Sequence, residues 1–157
     1  MHAESSSPEE DDFLTPPPPL DWRRESPLVL ERSAFMRSLL TSLLREAGAA
    51  EVMAAPNQET ALRAMHDFPP SVLIMDWPAD EDSAEDRMKF IRRIRETERA
   101  PYRDVPIILV THPRTRREVE IARDVGATEF LVTPTSRAIS TSRRVRGWVT
   151  RMIGTSR

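Results

Sequence analysis

Residues 71–78 read Ser71-Val72-Leu73-Ile74-Met75-Asp76-Trp77-Pro78. Four consecutive apolar side chains, two of them β-branched, have the length of a strand and no polar face. A strand without a polar face is covered on both sides, as in parallel sheets packed between helices. The run ends at Asp76, so a carboxylate falls at the carboxyl end of that strand. In open α/β sheets, sites form at that edge.

Similar runs lie on either side. Pro27-Leu28-Val29-Leu30 ends at Glu31-Arg32, Pro106-Ile107-Ile108-Leu109-Val110 ends at Thr111, and Phe130-Leu131-Val132 ends at Thr133-Pro134. Residues 50–54 form a weaker fifth candidate. Helical periodicity fills the intervals. Ser33 is placed to N-cap a helix carrying Phe35, Met36, Leu39, Leu40, Leu43 and Leu44, and Gly48 suits its end. Pro56-Asn57 opens a second helix through Leu62, Met65 and His66, stopped before Pro69-Pro70. After an acidic loop over 77–82, a third helix spans roughly 83–98 and buries Met88, Ile91 and Ile94. A fourth runs over 114–125 with Gly126 at its end. The fifth begins near Ser136, with Ala138, Ser142, Val145, Val149 and Met152 on one face. Five strands alternating with five helices predict an α/β domain of flavodoxin-like, doubly wound type, a parallel sheet in the order 2-1-3-4-5 with right-handed crossovers.

Composition separates a tail from this domain. The chain has 157 residues with 39% apolar and 31% charged side chains. Residues 1–27 hold six of its 14 prolines and seven acids against two arginines, a net charge of −5. Such a stretch buries too little apolar surface to offset its ordering entropy. It is read as a disordered, acidic, Pro-rich tail, either solubilising or a docking peptide around Phe13-Leu14 and Leu20-Trp22. Residues 28–157 form the domain.

Several function classes drop out. The chain has no Cys, which excludes disulfides, zinc–thiolate sites and thiol catalysis. Its net charge of −2 gives no polyelectrolyte argument for nucleic acid. Four glycines leave neither a dinucleotide fingerprint nor a P-loop. No apolar run is long enough to span a membrane, and the first residues lack the pattern of a signal peptide, so a cytoplasmic protein is expected. His2, His66 and His112 show no metal-ligand spacing, although His112 adjoins the strand ends. Trp77 is placed either to cover the cleft or to pack on the third helix.

Glu31-Arg32, Asp76, Thr111 and Thr133 converge at one edge of such a sheet. Two carboxylates and two hydroxyls in one cleft suit a phosphoryl or metal site. At this point the sequence resembles the bacterial response-regulator receiver domain. LVLERSAFMRSLLTSLL is similar to the first strand and helix of that family, and SVLIMDWP to its phosphoacceptor strand. VPIILVTH is similar to the strand ending in its Thr/Ser switch, and GATEFLVTP to its last strand. The likeness covers roughly residues 27–152 and is to stand-alone, chemotaxis-type receivers.

The resemblance implies that Asp76 is the phosphoacceptor, Thr111 the switch hydroxyl, Phe130 the aromatic switch and Glu31 the first of an acidic pair. Two positions depart from it. Arg32 stands where the second acid, a magnesium ligand, is expected, and Thr133 where the family carries a lysine. Phosphoryl transfer concentrates negative charge that the metal and lysine neutralise. Arginine supplies no oxygen to magnesium and repels it, by about 4 kcal/mol at ~4 Å and an effective dielectric near 20. The same attraction favours an Arg32–Asp76 ion pair, with bidentate geometry open to it. Asp80-Glu81-Asp82 is a source of replacement ligands.

The primary expectation is therefore a pseudo-receiver in a two-component phosphorelay. It is not an enzyme and has no cofactor, and it binds a protein partner (histidine kinase, motor or scaffold) through the fourth helix, last strand and fifth helix. One alternative is a conventional phosphoacceptor with magnesium held by Glu31 and Asp76. A second is a cyclic di-GMP effector using Arg137, Arg143, Arg144, Arg146 and Arg151. Nucleic acid and membrane are not expected partners.

Overall fold

In the computed structural model, the described residues are 21–96 and 102–132. The apolar runs become parallel strands. They are β1 (Pro27–Leu30), β2 (Met53–Ala55), β3 (Val72–Trp77), β4 (Ile107–Thr111) and β5 (Glu129–Val132). The helices are α1 (Ala34–Glu46), α2 (Gln58–Asp67), α3 (Glu81–Glu96) and α4 (Arg116–Val125). The sheet order is β2-β1-β3-β4-β5, as expected for a flavodoxin-like fold.

Strand side chains alternate between two cores. Leu28, Leu30, Leu73, Met75, Ile107 and Leu109 point to one side, where Met65 of α2 and Phe90, Ile91 and Ile94 of α3 meet them. Val29, Val72, Ile74, Ile108, Val110 and Leu131 point to the other, against Leu39, Leu40, Leu43 and Leu44 of α1. Burial on both faces explains why the runs carry no polar phase. Ser33 caps α1 by accepting from the Met36 amide at 3.3 Å. Gly48 and Gly126, at φ of 111° and 129°, turn the chain just past α1 and α4.

Several boundaries differ from the sequence reading. β2 is Met53–Ala55 rather than 50–54, since pairing with Leu28, Val29 and Leu30 sets its register. β3 runs on through Asp76 and Trp77 because both pair with β4, opposite Val110 and Thr111. α3 starts at Glu81, and α4 starts at Arg116 because Thr115 and Glu118 form a capping box. Within the expected tail, residues 21–27 are folded. Asp21 caps a 3-10 turn at Trp22–Arg24, and Trp22 is 3% exposed in the α1-side core. Its indole area offsets the ordering entropy that composition alone suggested was uncompensated. Four α-helices and two 3-10 turns are present among the described residues, against five helices expected. The fifth helix, with its stripe, and residues 1–20 lie outside the described residues. No helix among the described residues is long and apolar enough to cross a membrane.

Candidate functional site

The carboxyl ends of β1, β3 and β4 bring Glu31, Arg32, Asp76 and Thr111 to one edge of the sheet. Asp76 is the centre, and its carboxylate meets two guanidinium groups. Oδ1 accepts from Arg87, 2.6 Å from Nη2 and 3.0 Å from Nε. Arg87 Nε also donates to the Asp76 backbone carbonyl at 3.3 Å. Oδ2 accepts from Arg32 Nε at 3.4 Å.

Arg87 projects from α3. It precedes Phe90 by three residues and Ile91 by four, which puts it on the buried stripe of the helix. Its side chain is 5% exposed. A guanidinium so deeply buried requires a counter-ion, and Asp76 supplies it. Arg32 lies farther out. Its Nη1 donates to Ser83 Oγ at 3.2 Å, and its Nη2 lies 3.7 Å from Asp80 Oδ1. The Ser83 hydroxyl and amide hold the Asp80 carboxyl below the usual range. A cleft of about 400 Å³ opens beside this group, with Arg32, Asn57, Gln58, Ser83, Asp86 and Arg87 among its lining residues.

Glu31 is buried and accepts from the Ser33 amide at 3.0 Å. Burial pushes its carboxyl up to about 7, and the Asp76 charge pushes the same way. The Ser33 hydrogen bond, Arg87 and Arg32 oppose the rise. Near neutral pH the carboxyl therefore takes up a proton readily.

Thr111 is buried at the end of β4 and donates to the His112 carbonyl at 2.9 Å. It accepts from Arg114 Nε at 3.0 Å. Trp77 is 5% exposed, within the α3-side core, which favours the packing alternative over the cleft cover. Its ring lies 6.2 Å from that of Phe130.

Comparison with known families identifies the domain. The response regulator receiver domain matches residues 28–141. The chain belongs to the receiver domain family. Receiver structures share its fold at low identity. Chemotaxis protein CheY4 of Vibrio cholerae is 22% identical, with a TM-score of 0.60 over 81% of this chain and 97% of that one. The N-terminal domain of a response regulator receiver protein from Methanoculleus marisnigri JR1 is 18% identical, with a TM-score of 0.59 over 85% and 99%. The receiver domain of sensor histidine kinase PA1611 from Pseudomonas aeruginosa PAO1 is 23% identical, with a TM-score of 0.55 over 83% and 98%. That domain has a magnesium ion coordinated in its active-site cleft. No curated protein sequence matches the chain.

The donor set of this receiver domain does not suit magnesium. Both Asp76 oxygens accept from guanidinium groups. Arg32 has no lone pair to offer, and Glu31 is shifted toward its neutral form. Among the described residues, no three acidic or histidine side chains gather where they could hold a metal. Of the candidate replacement ligands, Asp80 turns toward Arg32, and Glu81 and Asp82 enter the first turn of α3.

The structure thus joins Glu31, Arg32 and Asp76 as expected but gives the principal contact to a different arginine. Arg32 makes one long hydrogen bond to Asp76 instead of a bidentate pair, since Ser83 and Asp80 share its guanidinium. Arg87 and Arg114 escaped the sequence reading. Arg87 had a signal, its place in the Arg87-Phe90-Ile91-Ile94 stripe, whereas Met88, expected in the core, is only half-buried. Arg114 had none, because loops carry no periodicity. Thr133, Arg137, Arg143, Arg144, Arg146 and Arg151 lie outside the described residues.

Proposed function

We propose that this receiver domain signals within a two-component pathway by protein–protein contact and does not depend on phosphoryl transfer to Asp76. The observation that carries the reading is the pair of guanidinium groups on Asp76, Arg87 at 2.6 Å and Arg32 at 3.4 Å. An acceptor oxygen must be free to attack phosphorus, and developing charge must be met by a metal or mobile cation. Here the carboxylate is already paired with two cations of the protein, buried Arg87 and half-exposed Arg32. The fold then serves as a preformed binding surface for a histidine kinase, motor or scaffold protein, in the cytoplasm and without a cofactor.

The test is incubation of the full chain with acetyl phosphate and magnesium, read by intact mass, with a conventional receiver domain as positive control. The expected result is labelling of the control and no phosphoryl gain on this chain. Magnesium-dependent gain of one phosphoryl group, mapped to Asp76, would overturn the reading.

A further inference from the structure

Arg114 lies in the loop between β4 and α4, yet its side chain is only 10% exposed. Its guanidinium reaches three separate segments. Nη2 donates to the carbonyl of Trp77 at 3.1 Å and to that of Pro78. Nε donates to Thr111 Oγ1 at 3.0 Å. Nη1 pairs with Glu118 Oε1 at 3.5 Å. The guanidinium carbon sits 4.3 Å from the centre of the Trp77 ring.

These contacts converge on the start of α4. Glu118 is also the capping-box residue of that helix, and its Oε2 accepts from the Thr115 amide at 2.7 Å. At the other end of α4, the guanidinium carbon of Arg123 lies 5.7 Å from the Phe130 ring, whose centre is 6.2 Å from that of Trp77 at a 45° tilt. The helix is thereby tied at both ends to one aromatic pair. Trp77 directly follows Asp76, so a shift of the Asp76 peptide carries with it the carbonyl that Arg114 holds. A guanidinium presents its donors in a fixed planar fork, which transmits position where a flexible ammonium does not.

We propose that Arg114 is a conformational latch coupling the strand end that carries Asp76 to the first turn of α4. The Thr111 hydroxyl is one of its anchors. The latch operates whether or not Asp76 accepts a phosphoryl group, so it stands apart from the function proposed above.

Amide hydrogen exchange on the full chain tests the latch. In Arg114→Gln, peptides covering 112–118 are expected to exchange about ten-fold faster, with β1 and β3 still protected. In the otherwise native chain, Asp76→Asn is expected to speed exchange over 112–118 severalfold. In the Arg114→Gln background the same change should add nothing there. Unchanged exchange over 112–118 in Arg114→Gln, or an equal effect of Asp76→Asn in both backgrounds, would overturn the latch. Should Arg114→Gln fail to fold by circular dichroism, Arg114→Lys carries the comparison. It keeps the charge and loses the fork, so the Asp76→Asn effect should vanish in it as well, and persistence of that effect would overturn the proposal.

Discussion

Nη2 of Arg87 lies 2.6 Å from Oδ1 of Asp76, with the two side chains 5% and 12% exposed. Each of these charges is tolerated in the interior because the other is there. Removing one strands its partner, whereas replacing both with apolar groups removes the problem. Arg87→Ala is expected to lower unfolding stability by about 3–5 kcal/mol, and Arg87→Met with Asp76→Leu by much less. Urea denaturation reads both. If the double variant is as unstable as the single one, the pair is not the source of the loss.

Glu31 makes stability pH-dependent in a definite direction. Its folded carboxyl is raised from 4.5 to about 7 by burial and the neighbouring Asp76 charge. Between those values the folded chain holds more protons than the unfolded chain, so this contribution to stability is lost as pH rises toward and through 7. Glu31→Gln keeps an oxygen for the Ser33 amide and removes the titration. Relative to wild type, it is expected to gain stability above pH 7 and to show little of that gain near pH 4.5. Denaturant titrations of both chains across this range, compared as a difference, give the answer; a flat difference would refute the assignment.

Arg32 is the accessible half of the cationic lock, with a side chain 51% exposed. Arg32→Asp adds a carboxylate and frees Oδ2 of Asp76. An ion that binds only the folded chain raises its melting temperature. Millimolar magnesium should therefore raise Tm in Arg32→Asp and leave wild type where EDTA leaves it. Differential scanning fluorimetry decides, and a magnesium-dependent rise in the wild-type chain would contradict the donor-set argument.

Trp22 joins the stretch before β1 to the core beneath α1. Arg23 packs beside it against Gly48, where an added Cβ would come within 2.6 Å of the Arg23 side chain. Trp22→Ala is expected to cost about 3–5 kcal/mol, the range for a large aromatic removed from a core. Thermal unfolding with a change under about a third of that range would mean that the indole is solvated in solution.

The element order was legible because it rests on local pattern. Leu28-Val29-Leu30, Val72-Leu73-Ile74-Met75 and Ile107-Ile108-Leu109-Val110 lack a polar phase only because both of their faces are covered. Ser33 and Gly48 marked the limits of α1 through chemistry confined to a few residues. Trp22 was misplaced because a lone aromatic in acidic, Pro-rich sequence carries no period, and its burial depends on a hole left by distant residues.

By itself, then, the sequence determined the parallel sheet, the meeting of Glu31, Arg32, Asp76 and Thr111 at its edge, and the presence of a cation at position 32. Only the tertiary structure decided which cation Asp76 takes. Arg87 is 11 residues from Asp76, and Arg114 reaches back 37 residues to the Trp77 carbonyl. Helix phase puts Arg87 on a buried stripe, but whether such a long charged side chain stays inside depends on a counter-charge or carbonyls waiting in a dry interior, and those are supplied by residues outside any local window.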